Sequence, residues 1–325
     1  MTTQAKVTAR QLPGLRRALL AWYDHNRRDL PWRNARDPYR IWVSEIMLQQ
    51  TRVAAVLLRY KSFLRRFPTV CKLAAARQAS VLAEWSGLGY YRRARNLHAA
   101  AKVIVGERSG TFPKTAEEWR TLPGIGRYTA AAIASISFDE PVAVLDGNVE
   151  RVLHRLLGGA GGNAESWKAA EALLDRARPG DFNQAMMELG AMVCLPSQPR
   201  CPECPVSAFC RTRGRGEFSK GKPHQQKREV TYSLARRADW VLLVQRAKED
   251  GLMPGMWELP ETNSLLSVED RLFSVRHSIT ITDFTVHVVN GGKSEPGTWV
   301  RISRLGKLPL TGLTRKILRR AEIIQ

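Results

Sequence analysis

Four thiols and two carboxyl groups are the side chains of this sequence whose types and spacing could do chemistry. Cys194, Cys201, Cys204 and Cys210, four of the five cysteines, crowd into one short stretch. Such crowding points to a metal centre in a reducing compartment, not to disulfides. Four thiolates suit zinc or an iron–sulfur cluster. Zinc sites usually pair short C-x-x-C knuckles, and only Cys201 to Cys204 makes one, so the spacing leans towards a cubane cluster. Glu45 lies in Ile41-Trp42-Val43-Ser44-Glu45-Ile46-Met47-Leu48, a run apolar on all sides that predicts a buried helix. Burial disfavours the charged carboxylate and raises its pKa, which suits a general acid near neutral pH. A buried glutamate paired to an arginine is the structural alternative. Asp146-Gly147-Asn148 puts a second acid at the head of another helix, where it fits either a plain N-cap or a group facing a reacting atom.

These groups need elements to hold them. Leu122-Pro123-Gly124-Ile125-Gly126 is a tight turn, and Arg127 to Ser137, free of Pro and Gly, reads as a helix. Thr115 and Glu118 have the spacing of a capping box, so a short helix leads into the turn. The result is a helix-hairpin-helix, in which Leu122, Gly124, Ile125 and Gly126 let backbone N–H groups point at a phosphate. A formal charge of +21 over 325 residues fits a polyanionic partner, nucleic acid best, although a solvated basic surface gives the same count. Together these features suggest a hairpin that grips a DNA backbone so that Asp146 meets a sugar carbon.

Further helices are expected over 11–25, from Asp37-Pro38 onward, and over 53–66, 70–85, 91–107, 146–157, 164–178 and 182–193, with Cys71 an ordinary apolar residue. Two loops stand out. Arg27 to Arg33 holds Trp32 among cations, suited equally to stacking on a base and to plugging a core edge. Gly87 to Arg93 joins a glycine turn to Tyr90 and Tyr91, suited to entering a groove or to ordinary core tyrosines. Gln49 and Gln50 end the Glu45 helix with amides able to read base edges or fill a gap in a stack. From Arg211 to Arg228 the chain is basic and broken by Gly214, Gly216, Gly221 and Pro223, so residues 216–228 read as a linker. Beyond it, 230–234, 240–245, 284–289 and 298–302 have strand spacing, and 313–324 reads as a closing helix. The fold expected is therefore a mainly α region followed by an α+β domain. No apolar run approaches the roughly 20 residues of a spanning helix, and the N-terminus lacks the apolar core of a signal peptide, so the protein is expected to be soluble and cytoplasmic.

IWVSEIMLQQT (41–51), GLGYYRRARNLH (87–98), LPGIGRYTA (122–130), LDGNV (145–149), FNQAMMELGAMVC (182–194) and the cysteine spacing together resemble the adenine DNA glycosylases of the MutY type, in the helix-hairpin-helix superfamily. The resemblance implies a helix-hairpin-helix barrel over about 30–145 beside an iron–sulfur lobe built from the N-terminal helix and about 146–215. Both lie in a catalytic region 1–215, and DNA is bent between them. It implies one [4Fe–4S] cluster on the four cysteines. The expected partner is double-stranded DNA carrying adenine opposite 8-oxoguanine or guanine, bound by a monomer, with the adenine flipped out of the stack. Glu45 matches the family's proton donor to N7, and Asp146 the group that stabilises positive charge on the sugar. Tyr128 and Asn148 match their hydrogen-bonding supports, and Arg28, Trp32, Leu48 and Gln184 the adenine pocket. Gln50 and Tyr90 match residues that wedge into the duplex. Endonuclease-III-type relatives carry a lysine where Tyr128 stands, and that amine forms a Schiff base and cleaves the strand. The tyrosine implies a monofunctional enzyme.

Residues 229–325 are similar to the Nudix-like domain by which the family senses 8-oxoguanine. Gly255 and Glu261 fit the first spacing of a Nudix box, but residues 269–274 lack the acidic pair that holds magnesium, so no nucleotide hydrolysis is expected. The family's Phe-Ser-His sensing loop falls near Ile279-Thr280-Ile281. Thr280 could replace the serine hydroxyl, or Arg276 and His277 could take over recognition. Two rival readings remain: a thymine–guanine mismatch glycosylase of the same superfamily, and a non-catalytic iron–sulfur DNA-binding protein. The first generally lacks a second domain. The second leaves a glutamate among apolar neighbours unexplained.

Overall fold

The computed structural model describes residues 8, 10–33, 36–159, 162–215, 226–247, 249–250, 252–262, 271–279, 281–292 and 296–324. Their contacts divide the chain into two compact units, Met1–Ile46 with Val103–Lys220, and Met47–Lys102 with Gly221–Gln325.

The first unit is helical. It holds α1 (Leu12–Asn26), most of α2 (Pro38–Leu48), α7 (Ala116–Arg120), α8 (Arg127–Phe138), α9 (Gly147–Leu157), α10 (Asn163–Leu173) and α11 (Pro179–Met192). Leu15, Leu19, Leu20 and Tyr23 of α1 recur at helical spacing and are buried against Val149, Val152 and Leu153 of α9 and Phe182, Met186 and Leu189 of α11 in one apolar core. Asp37 starts α2, its Oδ1 accepting from the Tyr39 N–H at 2.9 Å, and Pro38 follows at the first turn. Trp42 then anchors α2 against Trp119, with ring centroids 5.7 Å apart, and against Phe112. Each buried aromatic of this kind contributes about 2–3 kcal/mol. The capping box at Thr115 and Glu118 is present, both reciprocal bonds made.

Two helices are shorter than their periodicity implies. Residues 164–178 were expected as one helix, yet α10 ends at Leu173, where Arg16 donates to the Leu173 and Ala172 carbonyls. Asp175 then turns the chain by accepting from the Ala177 and Arg178 N–H groups, and Pro179 excludes Arg178 from helical geometry. The stretch 70–85 divides into α4 (Val70–Ala74) and α5 (Gln78–Trp85), and His98 hydrogen-bonds the Ala74 and Ala76 backbone at the break.

The second unit joins the end of α2, α3 (Val53–Arg66), α4, α5 and most of α6 (Arg92–Arg108) to an α+β region. One sheet has the order β1-β6-β5, with β1 (Gln226–Leu234) parallel and β5 (Arg271–Ile279) antiparallel to β6 (Thr282–Asn290). The other runs β2-β3-β4, from β2 (Arg236–Arg237) through β3 (Trp240–Gln245) to β4 (Trp257–Glu258), with β7 (Thr298–Arg301) also on β3. Val241, Leu243, Val286, Val288 and Val300 share a core with Leu313, Ile317 and Leu318 of α12 (Gly312–Arg320). Strand β1 begins at Gln226, inside the stretch read as linker, because residues 226–228 pair with Thr282, Asp283 and Phe284. Strand β5 was not anticipated: its charged and hydroxyl residues hide the period-2 signal. Thr280 lies outside the described residues. No helix among those described is long and apolar enough to cross a membrane.

Candidate active site

Helix α2 buries Glu45, 6% exposed, among Ile41, Trp42, Val43, Ile46 and Met47. Its hydrogen-bond partner is a tyrosine, while Arg33 acts on it only through charge. The Tyr128 hydroxyl, from the first turn of α8, donates to Glu45 Oε2 at 3.0 Å and also lies 3.1 Å from Met187 Sδ. Loss of solvent pushes the Glu45 carboxyl up to about 7. The Tyr128 hydrogen bond opposes that shift, and the charge of Asp146 adds to it. Burial and the two nearby carboxylates drive the Tyr128 phenol well above its ordinary range, so it stays a neutral donor.

Asp146 is the N-cap of α9. Its Oδ1 accepts from the Val149 N–H at 2.7 Å and its Oδ2 from Asn148 Nδ2 at 3.2 Å. Arg151, one turn along α9, donates to Asn148 Oδ1 at 2.8 Å, which fixes the Asn148 amide with its NH₂ towards Asp146. Gly190 of α11 lets the helices approach this closely, since a Cβ there would stand 2.7 Å from Asn148 Cβ. Partial burial raises the Asp146 pKa above its ordinary value, while the Val149 and Asn148 bonds restrain the rise. An acid at a helix head thus acts through its charge on an acid in an apolar wall.

The Arg27–Arg33 loop serves a third carboxylate. Glu188 on α11 is buried and takes Arg28 Nε at 2.7 Å and Arg33 Nη2 at 2.7 Å. Burial alone would raise its pKa, but the two guanidiniums outweigh that and hold it at about 2. Trp32 of the same loop is buried, which both readings of it allow. Gln184 is half-buried one turn before Glu188 on α11. Glu188 was missed in the sequence, although a lone acid in an otherwise uncharged run from Phe182 to Cys194 was a signal of the same kind as Glu45.

The turn of Leu122 to Gly126 is formed as expected. Gly124 takes φ 76°, the left-handed region, and Gly126 is the N-cap of α8 with no side chain capping the helix.

In the second unit, α2 ends at the half-buried Leu48. Half-buried Gln49 and exposed Gln50 follow, Gln50 at φ 54°. A second turn brings Tyr90 to φ 47° and 44% exposure, whereas Tyr91 is buried at 3%. The two tyrosines therefore divide the alternatives between them. Arg93, not singled out from sequence, ties the turns together. Its Nη1 donates to the Met47 and Gln49 carbonyls, and its Nη2 to Thr51 Oγ1 and the Leu88 and Gly89 carbonyls at 3.0–3.2 Å. Its guanidinium also lies 5.3 Å from the Tyr90 ring centroid.

The four cysteines follow α11 in the first unit. Arg155 donates to Cys194 Sγ at 3.4 Å and to the Leu195 and Pro196 carbonyls at 2.6 Å, and Arg151 donates to the Cys194 carbonyl at 2.8 Å. Gly214 passes so close to Cys201 that a Cβ would lie 2.9 Å from its sulfur. Burial pushes the Cys204 thiol up to about 11, and charge on the other three sulfurs would add to that. Neighbouring thiols of this kind become thiolates together only when a cationic centre neutralises them. The donor set therefore fits a metal group. Among the described residues, no three ligating side chains converge tightly enough for a single ion.

Residues 43–179 match the HhH-GPD superfamily of base excision DNA repair proteins. The chain is similar to an adenine DNA glycosylase of Mus musculus, 40% identical over 306 residues, which are 74% of this chain and 59% of that protein. It is also similar to one of Homo sapiens, 48% identical over 228 residues, 66% of this chain and 41% of that protein. The chain thus spans about half the length of these relatives. A solved thermostable thymine-DNA glycosylase superposes with a TM-score of 0.59 at 29% identity, covering 63% of this chain and 97% of that one.

Proposed function

The chain belongs to the adenine DNA glycosylases of the HhH-GPD superfamily, and from that membership we propose that it hydrolyses the N-glycosidic bond of adenine paired with 8-oxoguanine or guanine in duplex DNA. The observation that carries this reading is Glu45, a carboxyl kept protonated near neutral pH by an apolar wall yet held in one orientation by Tyr128. Adenine leaves poorly until N7 is protonated, and Glu45 supplies that proton. Cleavage leaves positive charge on the sugar, which the Asp146 carboxylate stabilises at C1′ until water adds. Asn148, itself oriented by Arg151, holds Asp146 in place.

By the same membership Arg28, Trp32, Leu48 and Gln184 each match a residue that contacts adenine, Gln49 and Gln50 read or fill the stack, and Tyr90 enters the duplex beside the lesion. The backbone N–H groups of Leu122 to Gly126 hold phosphate. Cys194, Cys201, Cys204 and Cys210 hold one [4Fe–4S] cluster, whose contribution when bound is to rigidify a loop flanked by Arg200, Arg211 and Arg213. The spacing of the four cysteines, with only Cys201 and Cys204 forming a short knuckle, supports the cluster over zinc. The region 229–325 senses 8-oxoguanine. Exposed Arg276, and His277 kept neutral first by burial and then by Lys316, precede Thr280 in the sequence.

The test is a panel of duplexes with single A:8-oxoG, A:G, T:G and thymine glycol lesions, treated with alkali after incubation. Adenine release from the first two, no spontaneous strand cleavage and no borohydride-trapped complex is the expected pattern, because a phenol cannot form a Schiff base. Release of thymine from T:G would give the activity to the mismatch reading instead.

Tyr128→Phe separates proton delivery from binding. The lost hydrogen bond stabilises the ionised form of Glu45, so its pKa rises further and the alkaline limb of the pH–rate profile moves up by roughly one pH unit. A limb that stayed in place would remove Tyr128 from the proton account.

A further inference from the structure

The turn that carries Tyr90 is fastened at both ends to one backbone carbonyl of the α+β region. Ser86, which ends α5, donates its hydroxyl to the Leu310 carbonyl at 3.0 Å. Tyr91, which leads into α6, donates to the same oxygen at 3.1 Å. Arg315 of α12 closes the arrangement, its Nε donating to Ser86 Oγ at 3.0 Å, so the serine hydroxyl is oriented by one bond and spends the other on Leu310. Ser86, Tyr91 and Leu310 are all buried, so water does not replace a lost bond there.

Leu310 is itself rigidly held. Trp257 bonds to the residues on either side of Leu310, its N–H donating to the Pro309 carbonyl and its carbonyl accepting from the Thr311 N–H, both at 2.9 Å. Between the two fastened ends, Gly87 (φ 100°), Gly89 (φ 70°) and Tyr90 (φ 47°) all occupy the left-handed region. A tyrosine rests there only when its surroundings impose it.

We propose that the Leu310 carbonyl, with Arg315 behind it, is a positioning element for Tyr90, so that the α+β region sets how that ring meets the duplex. The inference rests on the reading of Tyr90 as the residue that enters DNA. It makes the turn a follower of the region assigned to the opposite base. Lys316 of α12 donates to the Arg276 carbonyl, so contact with 8-oxoguanine at that strand bears on α12, and through Arg315, Ser86 and the Leu310 carbonyl on both ends of the turn. Discrimination between 8-oxoguanine and guanine then acts on adenine extrusion without any direct contact between the sensing residues and the adenine.

The double variant Ser86→Ala, Tyr91→Phe in the full chain leaves the Leu310 carbonyl without its two hydroxyls. Hydrogen–deuterium exchange over residues 86–91 should then quicken by about tenfold in the DNA-free protein. With 2-aminopurine beside an 8-oxoguanine pair, the fluorescence rise on binding should fall towards that of Tyr90→Leu. The preference for A:8-oxoG over A:G should narrow while the pH–rate limb set by Glu45 stays in place, a split that general unfolding does not produce. Arg315→Met, which spares both hydroxyls, should give the same changes in weaker form and serves if the double variant does not fold. Unchanged exchange in folded variants overturns the proposal, as does faster exchange with parental fluorescence. If Tyr90→Leu itself keeps the full fluorescence rise, the wedge reading fails and takes the coupling with it, and the exchange data show that the fastening was nevertheless real.

Discussion

Glu45→Gln should slow adenine release by about 10²–10⁴-fold and, above neutral pH, make the protein more stable. The amide has nearly the shape of the acid and keeps an oxygen for the Tyr128 hydroxyl, so the packing around Trp42 and Met47 is retained. It cannot give up a proton, however, and loss of the general acid alone costs about 10²–10⁴ in rate. The stability effect follows from the same burial. Glu45 ionises at about 7 in the folded protein against 4.5 for an ordinary glutamate, so between those values the folded state binds a proton that the unfolded state has released. Stability is therefore lost as pH rises through that window, by about 3 kcal/mol once both states are ionised. Glutamine has no charge to bury and escapes the loss. Single-turnover excision and urea unfolding at pH 8, on parent and variant, test both halves. Parental excision would end Glu45's role as acid, and a variant less stable than the parent at pH 8 would show that the carboxyl is not strained by its site.

Much of this site was legible because its chemistry depends on local sequence. An acid inside IWVSEIML, a glycine turn before an alanine-rich helix and thiols at 194, 201, 204 and 210 each declare themselves within a few residues. So did the capping box at Thr115 and the caps at Asp37 and Asp146, since capping is satisfied within a single turn. What stayed hidden was decided by distant partners. Arg93 is one of many cations in its stretch, and its five acceptors come from two separate turns. Glu188 is marked only by Arg28 and Arg33, some 155–160 residues away. The end of α10 is set by Arg16 from α1, and β5 by its pairing with β6. The association of 47–102 with 221–325 in one unit likewise leaves no trace in periodicity, which reports only which face of an element is apolar.

Asp146→Asn tests the other half of the acid pair, and it separates a catalytic carboxylate from a helix cap. Asparagine caps helices about as well as aspartate, so α9 should still start at Gly147. The exchange is not silent, because Arg151 holds Asn148 with its NH₂ pointing at residue 146 while the Val149 N–H points there too. The aspartate offers an oxygen to each donor. The new amide has only one, and its own NH₂ then faces a donor, a loss of about 1 kcal/mol visible as a small drop in melting temperature. The effect on chemistry is far larger. Removing the charge that meets the forming sugar cation should slow excision by about 10³-fold or more, well beyond what 1 kcal/mol of stability explains. The residual rate carries a second signature. Asp146 raises the Glu45 pKa through its charge, so in the variant Glu45 ionises at lower pH and the alkaline limb shifts down, opposite to Tyr128→Phe. The acidic limb, which reflects ionisation of Asp146 from its raised pKa, should disappear altogether. A cap without a catalytic role predicts the reverse: excision at the parental rate, both limbs in place, and only the melting temperature changed.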